Sequence, residues 1–233
     1  MAGIDFPLKK FVENILKLTH YKNPIMKKKN AFTLVELLIV ISIIAVMAGL
    51  LMPAIAGARN KAKRSTSKTF MVQLAGAIDQ FKTEYGFYPE FLVEKERVNL
   101  ADGNNAENLI KSLTGRNIDG SNLSDADRKK FNRRMRSFFT FDSTVLQKKD
   151  NSWKIVDPFG NPNIYICVDK TGAGQIRKGY PLVSDGISAE DFKEIVPDVA
   201  SGVRKSVIIF TLKKDETKAG ADYEADDVFS WVN

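Results

Sequence analysis

The feature that most constrains this chain is an apolar run from Phe32 to Met52, in which Glu36 is the only ionisable side chain. About 20 consecutive apolar residues are what an α-helix needs to cross the hydrocarbon core of a bilayer. A helix on the surface of a soluble domain would carry a polar stripe, and this run has none. The sequence therefore predicts a membrane-spanning helix over residues 32–53, and Pro53 predicts a helix kink at its end.

Glu36 is the one charge inside this run. A carboxylate at the centre of a membrane helix costs about 2.5–3.5 kcal/mol on insertion scales, so an acid within a span is expected to have a partner. Its position four residues after Phe32 leaves two interpretations open. The carboxylate either reaches the lipid headgroups from near the helix end, or it has a function that requires a specific partner.

The residues around the start of the run resemble a known signal. Residues Lys27–Ala31, followed by Phe-Thr-Leu-Val-Glu-Leu-Leu-Ile-Val, are similar to the prepilin-type signal of type IV pilins and type II secretion pseudopilins. The resemblance implies cleavage by a prepilin peptidase between Ala31 and Phe32 and N-methylation of Phe32. It also implies that Glu36 pairs with the terminal amine of a neighbouring subunit during assembly. The family usually has Gly before the cleavage site, where this chain has Ala31. Because Ala is larger than Gly by only one methyl group, we expect cleavage still to occur.

Residues 1–31 are accordingly interpreted as a prepilin leader, excluded from the fold. They contain seven Lys against Asp5 and Glu13, a net charge of +5, and subtracting this from the formal +7 leaves about +2 for the mature chain. The net positive charge of the full chain therefore says little about the partners of the mature protein. Met26 lies directly before the basic residues, which leaves open whether translation starts at Met1 or at Met26.

Histidine and cysteine usage argues against an enzyme. His20 is the only histidine and lies in the leader, so the mature chain would lack Ser-His-Asp or Cys-His catalysis and any His-ligated metal site. Cys167 is the only cysteine, and within an apolar segment it is expected to be a small buried hydrophobe. A membrane-anchored periplasmic enzyme and a static signal-anchored scaffold remain the alternatives from other classes.

The helical pattern continues beyond Pro53. Phe70, Leu74, Ile78, Phe81 and Tyr85 recur at spacings of four, four, three and four, which places them on one helical face. We therefore predict a single helix from residue 32 to residue 85, with residues 54–86 as its amphipathic continuation. Gly86 is predicted to end it in a left-handed cap.

The exported domain is predicted over residues 87–233, with residues 90–150 as a variable insertion. Ser124 and Asp127 have the spacing of a capping box, which predicts a helix from Asp125 to Phe138 with apolar residues on one side. The other faces of that helix are basic. The simpler interpretation is a solvated face, and the alternative is contact with a polyanion such as DNA or anionic headgroups.

The pattern in the C-terminal part of the sequence is typical of short β-strands. A turn at residues 157–162 precedes a predicted strand over 163–168, and a second strand is predicted over 206–212. The turn and the ending at residues 225–231 resemble the major pseudopilin of type II secretion, which implies a calcium-binding loop. Clustered carboxylates suit calcium, which is a hard cation. Asp215, Asp226 and Asp227 best match the calcium-binding loop of that family. The alternative is a mobile acidic loop without an ion.

Together these features predict an α+β fold, with a long N-terminal helix and a small antiparallel β-sheet domain packed on its second half (a pilin lollipop). The resemblance implies a structural subunit of a type II secretion pseudopilus, single-pass in the bacterial inner membrane with a cytoplasmic N-terminus and a periplasmic C-terminal domain. Implied partners are the prepilin peptidase, other copies of itself, minor pseudopilins, an inner-membrane assembly platform and membrane lipid. The alternative is a type IV pilus major or minor pilin in adhesion, motility or DNA uptake. Nucleic acid is not the expected partner, and calcium is the only expected cofactor.

Overall fold

The structure is a computed structural model, and it describes residues 33–149, 152–185, 187, 192–193, 195–196, 198–212 and 228–231. Helix α1 runs from Leu34 to Tyr85. The prediction of one helix reaching Tyr85 is confirmed, while the predicted start at Phe32 lies outside the described residues. The chain divides into two units, residues 1–51 and residues 52–233, and each is described separately. Pro53 lies within α1, and the kink there stays a prediction.

Helix α1 ends as its sequence predicts. Gly86 has φ +81°, and its N–H donates a hydrogen bond to the carbonyl oxygen of Lys82 at 2.7 Å. A left-handed residue of this kind satisfies a terminal carbonyl without the steric penalty that a Cβ would bring. Pro89 then precedes a short second helix, α2, Glu90–Val93.

The region after α2 supplies part of the core. Strand β1 covers Val98–Asn99, helix α3 covers Asn105–Thr114, and helix α4 covers Asp125–Phe131. Helix α3, which we did not predict, buries one apolar face made of Ala106, Leu109, Ile110 and Leu113. Helix α3 ends at Gly115, which adopts a left-handed backbone conformation with φ +68°. The segment 90–150 thus contributes packed side chains to the domain as well as surface.

The predicted helix over Asp125–Phe138 is wrong beyond Phe131. The Ser124 cap is present, because its hydroxyl accepts a hydrogen bond from the N–H of Asp127 at 3.1 Å. The chain then leaves the helix at Asn132, and Met135 adopts φ +51°. The N–H of Phe138 donates to the carbonyl oxygen of Leu113 at 2.7 Å. A carbonyl at the end of α3 needs a donor, and this contact with a distant segment outweighs the local helical pattern.

Within the described residues, six strands form two antiparallel sheets. Strands β2 (Leu146–Lys149) and β3 (Ser152–Ile155) pair as a two-stranded sheet. Strands β4 (Ile164–Val168), β5 (Val207–Thr211) and β6 (Val228–Phe229) join β1 in a four-stranded sheet of order β1-β4-β5-β6. The strands predicted over 163–168 and 206–212 are confirmed as β4 and β5.

The four-stranded sheet is covered on both faces. On one face, Ile164, Ile166 and Ile209 pack with α1 and α3. On the other face, Cys167, Ile208 and Phe210 pack with residues between 176 and 203 and with Trp231. Alternate side chains of a strand point to opposite faces, so β5 has no solvent side and all five of its residues are buried. The predicted α+β fold with a small antiparallel sheet is confirmed, and the second covering layer is an addition to it.

Candidate membrane and assembly site

The start of α1 is closed by a reciprocal pair of hydrogen bonds between Thr33 and Glu36. The N–H of Glu36 donates to the Thr33 hydroxyl oxygen at 3.2 Å, and the Thr33 N–H donates to a Glu36 carboxylate oxygen at 2.9 Å. The Thr33 hydroxyl also donates to that oxygen at 2.8 Å. This is a capping box, which satisfies backbone donors that have no partner inside the helix. Within this chain, therefore, the carboxylate of Glu36 has a structural partner as well as its predicted role in assembly.

Sequence reasoning overlooked Thr33. The signal was present, because Thr followed by Glu three positions later and then an apolar run is the pattern of a capping box. The same pattern was used at Ser124, where the structure confirms the cap.

The apolar residues after this cap have no covering layer among the described residues. The large apolar side chains from Leu34 to Met52 are 45–86% exposed. Within the described residues, α1 is the one helix long and apolar enough to cross a membrane by length and composition. An exposed apolar surface of this size marks a membrane or assembly surface. Together with the prepilin-type motif, it indicates that the chain is anchored in a membrane.

The other predicted site residues stand as follows. Ala31 and Phe32, at the predicted cleavage and methylation site, lie outside the described residues. Asp215, Asp226 and Asp227, the predicted calcium ligands, also lie outside them. Among the residues that are described, no group of three or more His, Cys, Asp or Glu is placed to hold a metal ion. Calcium binding by these three residues therefore stays a prediction.

The second half of α1 is fixed to the domain by apolar and polar contacts. Leu74, Ile78 and Phe81 are each 2% exposed or less. At the edge of this stripe the Ser206 hydroxyl donates to the carboxylate of Asp79 at 2.7 Å, and the ammonium of Lys82 donates to the hydroxyl of Tyr88 at 3.1 Å. The predicted apolar stripe is confirmed as core, with polar anchors along its border.

These polar anchors shift the pKa values of the groups that form them. The hydrogen bond to Tyr88 raises the pKa of Lys82. Burial raises the pKa of Tyr88, and Lys82 only partly opposes it. The ammonium therefore stays charged and the phenol stays neutral at neutral pH, so the phenol can donate in turn to the backbone oxygen of Ser206 at 3.1 Å.

The basic segment after α4 is docked on the end of α1. The Tyr85 hydroxyl donates to the side-chain oxygen of Asn132 at 2.6 Å, and Asn132 is 1% exposed. Arg134 and Arg136 both reach the carboxylate of Glu84, with Arg136 at 3.5 Å. A Cβ on Gly115 would lie 2.8 Å from the backbone of Met135, so only glycine allows this close approach.

This docking divides the basic residues into two groups. Arg134 and Arg136 are ion-paired with Glu84 and therefore have a structural role. Lys129 and Arg133 are exposed, and they belong to the solvated face that the sequence predicts. The polyanion alternative for this segment stays untested.

The centre of the domain holds the only thiol and a side-chain ion pair. Cys167 is 1% exposed with its sulfur 3.2 Å from the carbonyl oxygen of Gly179, and burial raises the pKa of the thiol to about 12. The expectation of a small buried cysteine is confirmed. Nearby, Arg97 makes a bidentate pair with Asp185 at 2.8 and 3.1 Å and stacks over Tyr165 at 5.0 Å. The pair joins residues 88 positions apart, so no local pattern could reveal it.

Comparison with known proteins agrees with this description. Residues 26–52 match the prokaryotic N-terminal methylation motif. The chain is similar to the type II secretion system core protein G of Klebsiella pneumoniae, with 38% identity over 28% of this chain and 46% of that protein. The protein of the same name from Escherichia coli is 37% identical over 37% of this chain and 64% of its own length. The one from Pseudomonas aeruginosa is 29% identical over 37% and 66%.

These matches cover only part of each protein. The chain spans about half to two thirds of the length of these three relatives. No solved structure matches the chain. The methylation motif and the recurring core protein G support the pseudopilin family.

Proposed function

We propose that this chain, with the prepilin motif and core protein G relatives of the pseudopilin family, is a structural subunit of a type II secretion pseudopilus. A peptidase removes the leader before Phe32, and the mature subunits polymerise through the first half of α1. The observation that carries the proposal is the exposed apolar helix containing a single carboxylate. Such a helix is stable in lipid, and it is equally stable when it exchanges lipid for other apolar helices.

In this mechanism Glu36 changes partner during assembly. In the single chain its carboxylate is held by Thr33. In the filament it pairs with the freed terminal amine of a neighbouring Phe32, within an apolar bundle of low dielectric. Removing one side of such a buried pair is strongly destabilising, by about 3–5 kcal/mol, because the other charge is left without a partner.

The capping box allows a sharp test of this exchange. Glu36→Gln keeps an acceptor for the cap, since capping boxes use Glu or Gln, but removes the charge. Thr33→Ala removes the cap and keeps the charge. We expect Glu36→Gln to insert and to be processed but to give little filament, and Thr33→Ala to assemble close to normally. The measurement is filament yield by electron microscopy and immunoblot of sheared fractions, with processing followed by the mass of the mature N-terminus.

The opposite pattern would reject the pairing. If Glu36→Gln assembles normally and Thr33→Ala does not, the carboxylate serves the cap alone. If the mature protein retains residues 1–31 and works as a monomer, the pseudopilus proposal itself is wrong.

The same proposal includes location and partners. The subunit lies in the bacterial inner membrane with its N-terminus in the cytoplasm and residues 87–233 in the periplasm, and it then enters a filament with its own copies and minor pseudopilins. The prepilin peptidase and the inner-membrane assembly platform act on it. The prepilin motif and the apolar helix support this orientation. Protease accessibility of the domain in spheroplasts tests it, because a cytoplasmic domain would be protected.

We propose further that the subunit is not an enzyme. The mature chain contains no histidine, and its single thiol is buried and protonated. Catalysis by histidine or by a thiolate is therefore not open to it, which supports a structural role.

Calcium binding by Asp215, Asp226 and Asp227 is the last part of the proposal. It is supported by the number of carboxylates between residues 213 and 227, which suits a cation that takes six to eight oxygen ligands. Calcium is expected to raise the melting temperature of the purified protein, and Asp226→Asn is expected to abolish that increase. Asp125→Asn, at an exposed carboxylate in α4, serves as the control. An equal effect of calcium on both variants would contradict the assignment.

A further inference from the structure

The part of α1 that follows the apolar run carries cations without any acid. Between Leu37 and Ile78 the chain has no Asp or Glu, and within this stretch Arg59, Lys61, Lys63, Arg64 and Lys68 occupy ten residues. Neighbouring residues on a helix cannot neutralise them, because an acid three or four positions away is needed and none is present. An anionic partner for the first two cations of this basic segment, residues 59–68, therefore does not come from neighbouring residues of the helix.

The domain uses one of these cations and leaves others unpaired. The ammonium of Lys63 lies 5.6 Å from the centre of the Phe159 ring, on the side where α1 meets the domain. Arg59 and Lys61 are exposed, and neither makes a hydrogen bond, an ion pair or a ring contact with a described residue. The first two cations after the apolar run are therefore available to a ligand, and the fold of the domain does not depend on them.

Distance along the helix separates these two from Lys68. Ile55 is the last large apolar residue before the basic segment and is 50% exposed. With a rise of 1.5 Å per residue, Arg59 lies about 6 Å, Lys61 about 9 Å and Lys68 about 20 Å beyond Ile55. The headgroup layer on each side of the hydrocarbon core is about 5–8 Å thick, and long basic side chains extend back toward it. With Ile55 at the edge of the hydrocarbon core, Arg59 and Lys61 would reach the headgroups, and Lys68 would not.

We propose that the basic segment, chiefly through Arg59 and Lys61, binds anionic phospholipid headgroups at the membrane surface where the apolar helix emerges. The proposal rests on the membrane-spanning part of the proposed function and not on filament formation. Each basic residue at a membrane surface adds a favourable interaction with anionic lipid that is screened by salt. The segment thus adds an electrostatic contact to the hydrophobic anchoring of the subunit.

Cleavage makes this contact more important. Before processing, Lys27, Lys28 and Lys29 lie on the other side of the apolar run. If the leader is removed before Phe32, residues 59–68 become the only basic segment that flanks the run. The basic side chains that flank the run in the unassembled mature subunit then lie at one membrane surface, on the exported side.

Phospholipid fits this position better than nucleic acid does. Nucleic-acid binding depends on neutralising many phosphates, whereas the mature chain has a net charge of only about +2. The unpaired cations lie within headgroup reach of an apolar helix, where phospholipid is the anion present at high local concentration. Nucleic-acid binding by these residues is an outcome that the test below distinguishes.

The test compares two double variants of the full chain. Arg59→Gln/Lys61→Gln removes two cations beside the apolar run, and Lys129→Gln/Arg133→Gln removes the same two charges from an exposed part of the domain. Each protein, with its leader intact, is reconstituted in vesicles of equal phosphatidylcholine and phosphatidylglycerol. Native mass spectrometry then gives the ratio of the two lipids retained on the monomer. Retention of a labelled 20-nucleotide DNA is measured in parallel.

We expect the unaltered chain and the domain variant to retain phosphatidylglycerol preferentially. The Arg59→Gln/Lys61→Gln variant should lose that preference by about fivefold or more, as expected for one to two lost surface charges. Reconstitution in 0.5 M NaCl should reduce the preference of the unaltered chain. An equal loss in both variants, no loss in either, or a change in DNA retention alone would overturn the proposal. Because the measurement uses monomers, failed filament assembly does not affect it.

Discussion

The two halves of helix α1 differ in what covers them. From Leu34 to Met52 the large apolar side chains are 45–86% exposed, whereas Met71, Leu74 and Ile78 in the second half are fully buried. Both halves are rich in apolar residues, but only the second has polar residues on its remaining faces. The periodicity of the second half shows that it was matched to a partner within the chain. The lack of periodicity in the first half is typical of a helix that is surrounded by apolar material, such as lipid or other apolar helices.

The difference also separates two kinds of stability. Residues from 67 to 85 contribute to the unfolding free energy of the domain, since they are part of its core. In the proposed function, residues from 34 to 52 contribute to insertion and assembly. Substitutions in the two regions should therefore affect different measurements, and the following predictions test that separation.

The largest expected effect concerns the closed interior of the domain. With its pKa raised to about 12 by burial, the thiol of Cys167 should react with a thiol reagent at pH 8 on the order of 10³-fold more slowly than an exposed cysteine, whose pKa is about 8.5. The measurement is the labelling rate in micelles, with the urea-unfolded protein as the control. Native labelling at the unfolded rate would show that the sheet is not covered on this face.

The same thiol predicts a loss of stability in alkali. Because the pKa of Cys167 is raised in the folded state, the buried neutral thiol contributes its full stability below the pKa of the unfolded chain, about 8.5. That contribution decreases as the pH rises from there toward about 12. Cys167→Ala should flatten the pH dependence of the urea midpoint over this range, and an unchanged slope would contradict the assignment.

Matched truncations in the two halves of α1 should give the next largest effect. Leu74→Ala is expected to lower the unfolding free energy of the domain by about 2–5 kcal/mol, because it leaves a cavity in a fully buried site. Leu38→Ala removes the same atoms from an exposed site and should leave this free energy unchanged. Urea unfolding in micelles, followed by fluorescence of Trp153 and Trp231, measures both. Equal losses would mean that the two halves are not independent.

A smaller effect is expected at the ion pair between Arg97 and Asp185. Burial acts to raise the pKa of Asp185, but the hydrogen bonds from Arg97 and from the Leu182 N–H, with the charge of Arg97, outweigh it and lower the pKa. The resulting stability is present above the unfolded pKa of about 3.9 and is lost as the pH falls through the lower folded value. Asp185→Asn should therefore cost about 1–2 kcal/mol at pH 7 and less near pH 3.

Asp125 provides the control for this pair. Its side chain is 87% exposed, so Asp125→Asn should leave the unfolding midpoint unchanged at both pH values. If Asp185→Asn is equally neutral at pH 7, the pair makes no net contribution to stability.

The smallest effect is expected at the helix start. Thr33→Ala removes the cap on Glu36 and should destabilise the first turn of α1 by about 0.5–2 kcal/mol. The change should appear as faster amide exchange at residues 35–37 in micelles, with no change in the domain. Thr33→Ser keeps the hydroxyl and should restore the slow exchange. Fast exchange in the serine variant would show that the methyl group and not the hydroxyl holds this turn.

Much of this architecture could be predicted because its signals are local. The stripe ending at Tyr85, the cap at Gly86 and strands β4 and β5 follow from periodicity and turn chemistry within short windows. The apolar helix follows from composition alone. The methylation motif lies within residues 26–52, which explains why the predicted family is supported although the relatives match little more than a third of the chain.

The features that sequence reasoning missed depend on contacts between distant segments. The helix predicted to Phe138 ends at Phe131 because Asn132, Met135 and Phe138 meet Tyr85, Gly115 and Leu113, respectively. The layer over the outer face of the sheet draws on residues from 176 to 203, whose local pattern is irregular. Such contacts override local propensity and leave no short pattern in the sequence.

The edge of the four-stranded sheet has a consequence for export. Strand β6 pairs with β5, and the Ser230 N–H donates a hydrogen bond to the carbonyl oxygen of Ile209. The indole N–H of Trp231 donates a hydrogen bond to the carbonyl oxygen of Ile195. Until residues 228–231 arrive, β5 presents an unprotected strand edge, which is a template for pairing with another chain. In the proposed function, a domain that emerges from the membrane thus passes through a vulnerable interval, which ends when one of its shortest strands pairs with the end of β5.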